Sequence, residues 1–272
     1  MYLHAPGVRA KMTDRSTPQL HIAMNATTPV RAIVTGHTRG LGAALAQRLL
    51  AQGIAVLGVS RTRNEAIANQ AGIEQVAVDL ANADQLTHFL AGDTLRNFLK
   101  GAQTVLLFNN AGMVQPVGPV ETQDVAAIAQ AVTLNVSAPL MLASAFAAAS
   151  PDASDRRIVH ISSGAARHPY SGWSIYCATK AALDHHARSV ALDQNRALRI
   201  CSVAPGVVDT NMQAEIRSTE LDKFPMREKF EELKRDGKLA TPEESAGKLV
   251  DYVLSETFGA VATADVRELP QG

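Results

Sequence analysis

Several things are scarce in this sequence. Two cysteines, Cys177 and Cys201, stand in 272 residues. They could pair, but so few in so long a chain excludes a disulfide-built scaffold and reads as reduced thiols of a cytoplasmic protein. There is no charge excess, because Lys plus Arg and Asp plus Glu both total 26. A nucleic-acid binder is therefore not expected. No apolar run free of polar breaks is long enough to cross a bilayer. The Ala-rich stretch from Val125 to Ala149 comes nearest, but Asn135, Ser137 and Pro139 interrupt it, so it reads as buried helix and no membrane partner is expected. The first 29 residues do not read as a secretory signal either, because they lack a continuous apolar core and show neither helix nor strand period. They read as a disordered extension or a start placed ahead of Met24, with an organellar transit peptide as the alternative. Internal repeats, low-complexity tracts and any linker after residue 30 are missing too, which leaves one domain over 30–272.

What is present, in a chain that is 46% hydrophobic, is an alternation of short β-rich runs with longer helical ones. Strands are expected at Val30–Thr35, Ile54–Ser60, Ile73–Val78, Thr104–Asn109, Arg157–Ser162, Leu198–Val203 and Ala260–Val266. Amphipathic or Ala-rich stretches such as Leu41–Gln52, Ala83–Leu90 and Ala178–Asn195 lie between them. Strand-helix-strand repetition predicts right-handed crossovers and an α/β fold with a doubly wound parallel sheet. The near-continuous apolar strands fit a sheet covered on both faces. The segment 211–238, rich in Glu, Lys and Arg, reads as one or two short helices. They are either a solvated insertion or a lid over a substrate.

After the first strand comes Thr35-Gly36-His37-Thr38-Arg39-Gly40-Leu41-Gly42, and then the helical run from Ala43 to Leu50. Glycines here let the chain turn sharply and bring backbone N–H groups close to a pyrophosphate at the positive end of the next helix. The spacing is T-G-x-x-x-G-x-G. Together with Val78-Asp79-Leu80 after the third strand and Asn109-Asn110-Ala111-Gly112 after the fourth, it resembles the short-chain dehydrogenase/reductase family. The resemblance implies a Rossmann-like sheet of about seven strands in the order 3-2-1-4-5-6-7. It also implies cofactor contacts from Gly36, Thr38, Arg39, Gly40, Leu41, Gly42, Asp79, Leu80, Asn110, Ala111 and Gly112.

Charge bears on which dinucleotide. The second strand ends Val59-Ser60-Arg61-Thr62-Arg63, with no acid until Glu65. An acid there would hold a ribose 2′-hydroxyl, whereas a 2′-phosphate suits a guanidinium fork. Ser60, Arg61 and Arg39 thus favour NADP(H); ordinary surface charge is the plain alternative for Arg61 and Arg63.

Tyr176-Cys177-Ala178-Thr179-Lys180 matches the family's Y-x-x-x-K. Four residues apart on a helix, the phenol and ammonium share one face. A nearby cation lowers a phenol pKa from its usual value of about 10, so Lys180 is expected to tune Tyr176. Ser163, thirteen residues earlier, matches the catalytic serine and would stabilise a developing oxyanion. Ser162 alternates to the other face. Asn135 matches the helix asparagine that holds a water in a proton path. In Ala204-Pro205-Gly206-Val207-Val208-Asp209-Thr210, the P-G-x-x-x-T pattern implies cofactor contacts from Pro205, Gly206, Val208 and Thr210, besides Tyr176 and Lys180. His185-His186 lack the further ligands that a metal site needs and read as surface or packing residues.

The C-terminal third resembles the sepiapterin reductase branch, which includes bacterial benzil reductases. Met113, Trp173 and Met212 are expected to line the substrate pocket. Asp265 is nearest to the aspartate that anchors a pterin in that branch. The implied activity is NADPH-dependent reduction of a small-molecule carbonyl, a ketone or vicinal diketone, by a homodimer. Alcohol oxidation or 3-oxoacyl reduction by the same machinery is the nearest alternative. A non-catalytic nucleotide sensor would be expected to lose Ser, Tyr or Lys, and an extended epimerase or dehydratase would carry a longer substrate domain.

Overall fold

The computed structural model describes residues 29–269 apart from 194 and 196. The extension expected over the first 29 residues thus lies almost wholly outside the described residues. A seven-stranded parallel sheet has the order β3-β2-β1-β4-β5-β6-β7. Its strands are β1 (Val30–Thr35), β2 (Ala55–Ser60), β3 (Ile73–Ala77), β4 (Thr104–Asn109), β5 (Asp155–Ile161), β6 (Leu198–Ala204) and β7 (Thr263–Asp265). The helices are α1 (Gly40–Ala51), α2 (Ala83–Ala91), α3 (Thr94–Leu99), α4 (Val125–Val132), α5 (Ala138–Ala149), α6 (Ser174–Val190), α7 (Asn211–Ser218), α8 (Arg227–Arg235) and α9 (Pro242–Leu254).

Strand alternation divides the core in two. Ala32 and Val34 of β1, with Leu106 and Phe108 of β4, face the layer built by α1 and α9. Ile33, Val105 and Leu107 face the layer built by α2, α3, α5 and the end of α6. Both faces are therefore dry, which is why the strands carry so few polar breaks. The order reverses between β1 and β4, and the crevice at the carboxyl ends of these strands is where ligands bind in such sheets.

Three elements, β5, β7 and α6, have bounds more than one residue from the sequence expectation. β5 begins at Asp155, whose carboxylate is forked by Arg157 and Arg199 (2.6–3.0 Å), so the charged start of the strand is satisfied inside the sheet edge. β7 shrinks to three residues, because Gly259 takes a left-handed turn (φ 80°) just ahead of it. α6 starts at Ser174 instead of Ala178, which puts Tyr176 inside its first turn.

The stretch 125–149 is a further correction. α5 buries Leu142, Ala143 and Phe146, but in α4 only Ala131 is buried, while Val125 and Val132 face outward. Between them Thr133–Ser137 forms a single π turn around Asn135. The whole stretch has the length and apolarity of a membrane span, yet it forms an outer-layer helix, buried along one side of its second half.

Candidate active site

The crevice is built from four strand ends. At the end of β1, Gly36 and Gly40 have φ of 68° and 52°, conformations that only glycine adopts without strain. A Cβ on Gly42 would lie 2.1 Å from the Gly36 carbonyl oxygen, so no larger residue permits this turn to pack on α1. Thr35 Oγ1 accepts the N–H groups of Asn110 and Ala111 at 2.9 Å each, and Asn110 Nδ2 donates to the carbonyls of Thr35 and Gly36. The N-N-A-G segment is thereby laced to the glycine loop. Arg39, extended at the start of α1, gives it no side-chain cap. The open N–H groups of that helix start, with the glycine cradle, fit a dinucleotide pyrophosphate.

Other expected cofactor residues border the same crevice. Leu80 is buried, and Asp79 Oδ1 accepts from Ala81 N at 3.0 Å. Thr38 is half-buried and Leu41 buried, while Arg39 and Arg61 are exposed. The Ser60 hydroxyl turns inward to His37 instead of opening to the crevice. From the β6 end, the Thr210 methyl lies 3.1 Å from where a Gly40 Cβ would stand, so the two loops meet across the crevice. Gly206 has φ 79°, Pro205 O accepts from Ser245 Oγ, and Val208 is buried and bridges to Ala240.

Two residues past the end of β5, Ser163 is extended, and its Oγ accepts from Ala165 N (3.2 Å) as a short 3-10 turn begins. Ser162 turns the other way, as alternation requires: its hydroxyl donates to Asp184 at 2.7 Å. On α6 the Lys180 ammonium lies 5.7 Å from the centre of the Tyr176 ring and donates to the Ile161 carbonyl at 2.8 Å. The Asn135 amide is taken by both backbone groups of Met113 (2.8 and 2.9 Å) and by Thr179 (3.2 Å). A Cβ on Gly112 would stand 3.2 Å from Asn135 Oδ1 and 3.6 Å from Lys180 Nζ, so the glycine lets these groups close up. Ser163, Tyr176, Lys180, Asn135 and Gly112 thus converge.

Burial dominates the electrostatics. It pushes the Tyr176 phenol up to about 12, although the Ser163 hydroxyl beside it favours the phenolate. The lowering expected from Lys180 is not what this arrangement gives: desolvation dominates and raises the phenol. Burial also brings Lys180 down to about 8, with the Asp184 carboxylate opposing the fall. Asp184 sits one turn past Lys180 and takes two serine hydroxyls, Ser162 and Ser202, with Arg167 at its second oxygen. Beneath the site His160 is fully buried, held near 3 by desolvation and by the charges of His186 and Lys180. His186 packs against it and His185 is exposed. No group of potential metal ligands forms among the described residues.

Over Tyr176 lies an aromatic wall. Trp173 stacks on Phe224 (4.6 Å between centroids, 16° apart) and meets Tyr170, Tyr176 and Phe230 at 5.3–5.4 Å. Val114, Met212 and Met226 join this cluster, which α7, α8 and their connection hold down. The Trp173 indole N–H is buried without a partner. Asp265 is only 4% exposed, and Arg267 forks its carboxylate at 2.9 and 2.6 Å. A separate cavity of about 310 Å³ lies behind Pro205–Val207 and contains none of Ser163, Tyr176 or Lys180.

Sequence reasoning missed five participants. Asp184 was signalled by its position four residues beyond Lys180, Phe224 and Phe230 by being aromatic in an otherwise charged segment, and Arg267 by standing two residues from Asp265. His37 gave no signal beyond being bulky within a glycine loop.

Residues 31–221 match the short chain dehydrogenase family, and the chain belongs to that family. It is an oxidoreductase acting on carbonyl or alcohol groups. Benzil reductase ((S)-benzoin forming) of Bacillus cereus is 34% identical, the match covering 83% of this chain and 94% of the relative. Sepiapterin reductase of Meriones unguiculatus is also 34% identical, over 86% and 94% of the two chains. Among solved structures, a short-chain dehydrogenase/reductase from Burkholderia vietnamiensis is 52% identical and covers 89% of this chain and 99% of its own, with a TM-score of 0.65.

Proposed function

We propose that this protein is an NADPH-dependent carbonyl reductase acting on a ketone or vicinal diketone. The observation that carries it is the convergence of Ser163, Tyr176 and Lys180 beneath an aromatic wall, where burial favours the protonated phenol. A protonated acid is the form that reduction requires. When bound, the dinucleotide supplies the hydride. The chain's own residues manage the oxygen and the proton. The Ser163 hydroxyl donates a hydrogen bond to the substrate oxygen and steadies the charge that develops there. Tyr176 gives that oxygen its proton. Lys180 then offsets the phenolate and holds the ribose. With the Asn135 amide occupied by Met113 and Thr179, a relay water would rest on main chain at the π turn. Gly36, Thr38, Gly40, Leu41, Gly42, Asn110 and Ala111 would hold the dinucleotide, with Asp79 and Leu80 at its adenine and Pro205, Gly206, Val208 and Thr210 at its amide end. Arg39, Arg61 and Arg63 make no ion pair among the described residues, which favours a 2′-phosphate as their partner.

The wall of Trp173, Phe224 and Phe230 suits an aryl substrate, and the unpartnered Trp173 N–H suits a second carbonyl oxygen. The Arg267 fork on Asp265 disfavours a pterin guanidine there, so the diketone reading stands ahead of the pterin one. A panel of benzil, sepiapterin, a simple aryl ketone and a quinone, each with NADPH and NADH, tests this through loss of reduced-cofactor absorbance. Benzil turnover with NADPH well above NADH is expected. Sepiapterin turnover alone would move the substrate to the pterin class. Tyr176→Phe should lose about 10²-fold or more in turnover while its NADPH affinity holds; near-normal activity in that variant would overturn the assignment of the acid.

A further inference from the structure

Beneath the glycine loop lies a buried polar cluster that the chemistry above does not use. His37 has no exposed surface. Its ring occupies the space over Gly58, where a Cβ would come within 2.4 Å of the imidazole. Around it the donors and acceptors close without remainder. Gln75 Nε2 donates to Asn64 O at 3.3 Å, which fixes that amide and leaves Gln75 Oε1 as an acceptor. It takes the Asn64 N–H at 2.6 Å and faces His37 Nε2 at 2.7 Å, so Nε2 carries the imidazole proton. Nδ1 is then an acceptor and takes the Ser60 hydroxyl at 2.9 Å, while Ser60 Oγ accepts the His37 backbone N–H at 3.0 Å. Asn64 Nδ2 donates to His37 O at 3.2 Å. Burial lowers the His37 pKa against the opposing bond from Gln75, in keeping with a neutral ring.

Both ends of the segment Ser60–Asn64 are thus fastened to one residue of the glycine loop. That segment carries Arg61 and Arg63, and Arg39 stands two residues after His37; all three guanidiniums are exposed. We propose that His37, acting through Ser60, Gln75 and Asn64, is a positioning residue that sets discrimination between 2′-phosphorylated and unphosphorylated dinucleotides. This rests on the NADP(H) reading above. His37 makes no contact with ligand itself, since its ring is buried and both nitrogens are used. Its effect is geometric: a fork that must meet a phosphate loses affinity when the two loops carrying it drift apart. Ser60 accordingly acts by holding the loops, not by touching phosphate.

The test is equilibrium binding by titration calorimetry on the full chain, with NADP⁺, NAD⁺, 2′-AMP and 5′-AMP as probes. The variants are His37→Ala and, should that one fold poorly, Gln75→Leu, which removes the acceptor for Nε2 and the anchor of Asn64. Each is expected to weaken NADP⁺ and 2′-AMP by about tenfold or more while NAD⁺ and 5′-AMP change by less than about threefold. General damage to the fold would weaken all four probes together. A variant that folds and retains the wild-type preference for the 2′-phosphorylated probes overturns the proposal alone. A wild-type protein without that preference overturns the NADP(H) reading and the proposal with it.

Discussion

At the scale of single residues, the line Tyr176–Lys180–Asp184 along α6 sets the charge of the site. Burial leaves Lys180 near 8, and the Asp184 carboxylate is what keeps it from falling further. An amine with a pKa near 8 is charged below that pH and loses its proton above it. Carbonyl reduction, which needs the charged form beside the phenol, should therefore decline as pH rises through about 8, read as kcat/KM. Asp184→Asn removes the negative charge that favours the ammonium, so the alkaline limb should move to lower pH. The same change weakens the bonds to Ser162, Ser202 and Arg167, at a cost of about 2 kcal/mol in stability by thermal denaturation. A lower melting temperature with an unmoved pH profile would make Asp184 purely structural. The convergence of Ser163, Tyr176 and Lys180 is readable from Y-x-x-x-K and the serine before it, because local spacing on a helix and past a strand end encodes their geometry. Asp184 and His37 are not readable in that way. Their roles depend on partners 18 to 38 positions away, such as Ser202 and Gln75, which only tertiary packing brings into contact.

Among the elements, α7 and α8 matter most for access to the site. Their expectation as short helices over 211–238 matches what forms, and Phe224 in the connection between them carries the contact with the site. Its ring is fully buried on Trp173. Truncating a buried Phe costs about 3–5 kcal/mol, and here that loss falls on docking of the segment, since the sheet lies outside this aromatic cluster. Phe224→Ala should therefore speed amide hydrogen exchange across 211–238 while β1 and β4 stay protected. If the segment closes over substrate, KM for an aryl ketone should rise several-fold in the same variant. Unchanged exchange would mean that the stack does not hold the segment down. The π turn at Thr133–Ser137 has no comparable signature in the sequence: an extra residue in a helical turn leaves the apolar pattern of an Ala-rich stretch almost unchanged. What shows it is the Asn135 amide reaching both backbone groups of Met113.

For the molecule as a whole, the doubly wound sheet was legible because the central strands are apolar on both faces and every crossover except that from β2 to β3 is helical. What alternation could not disclose is where the outer layer is left open. The α4 surface carries Val125, 79% exposed, and Val132, 41% exposed. Seven residues apart, they lie on one stripe of the helix, and exposed Ala129 lies between them. A second copy of the chain would cover this stripe with the same stripe about a twofold axis, so each valine would enter the interface from both copies. Burial contributes on the order of 1.5 kcal/mol for a fully exposed valine and less for half-exposed Val132, so the stripe favours association only together with the rest of the α4 face. The expected state is a homodimer at micromolar concentration by sedimentation velocity. Replacing both Val125 and Val132 with Lys brings like charges together across that axis without disturbing the sheet, so the variant should sediment as a monomer with a native circular dichroism spectrum. A variant that remains dimeric would place the interface elsewhere and leave the α4 stripe to solvent.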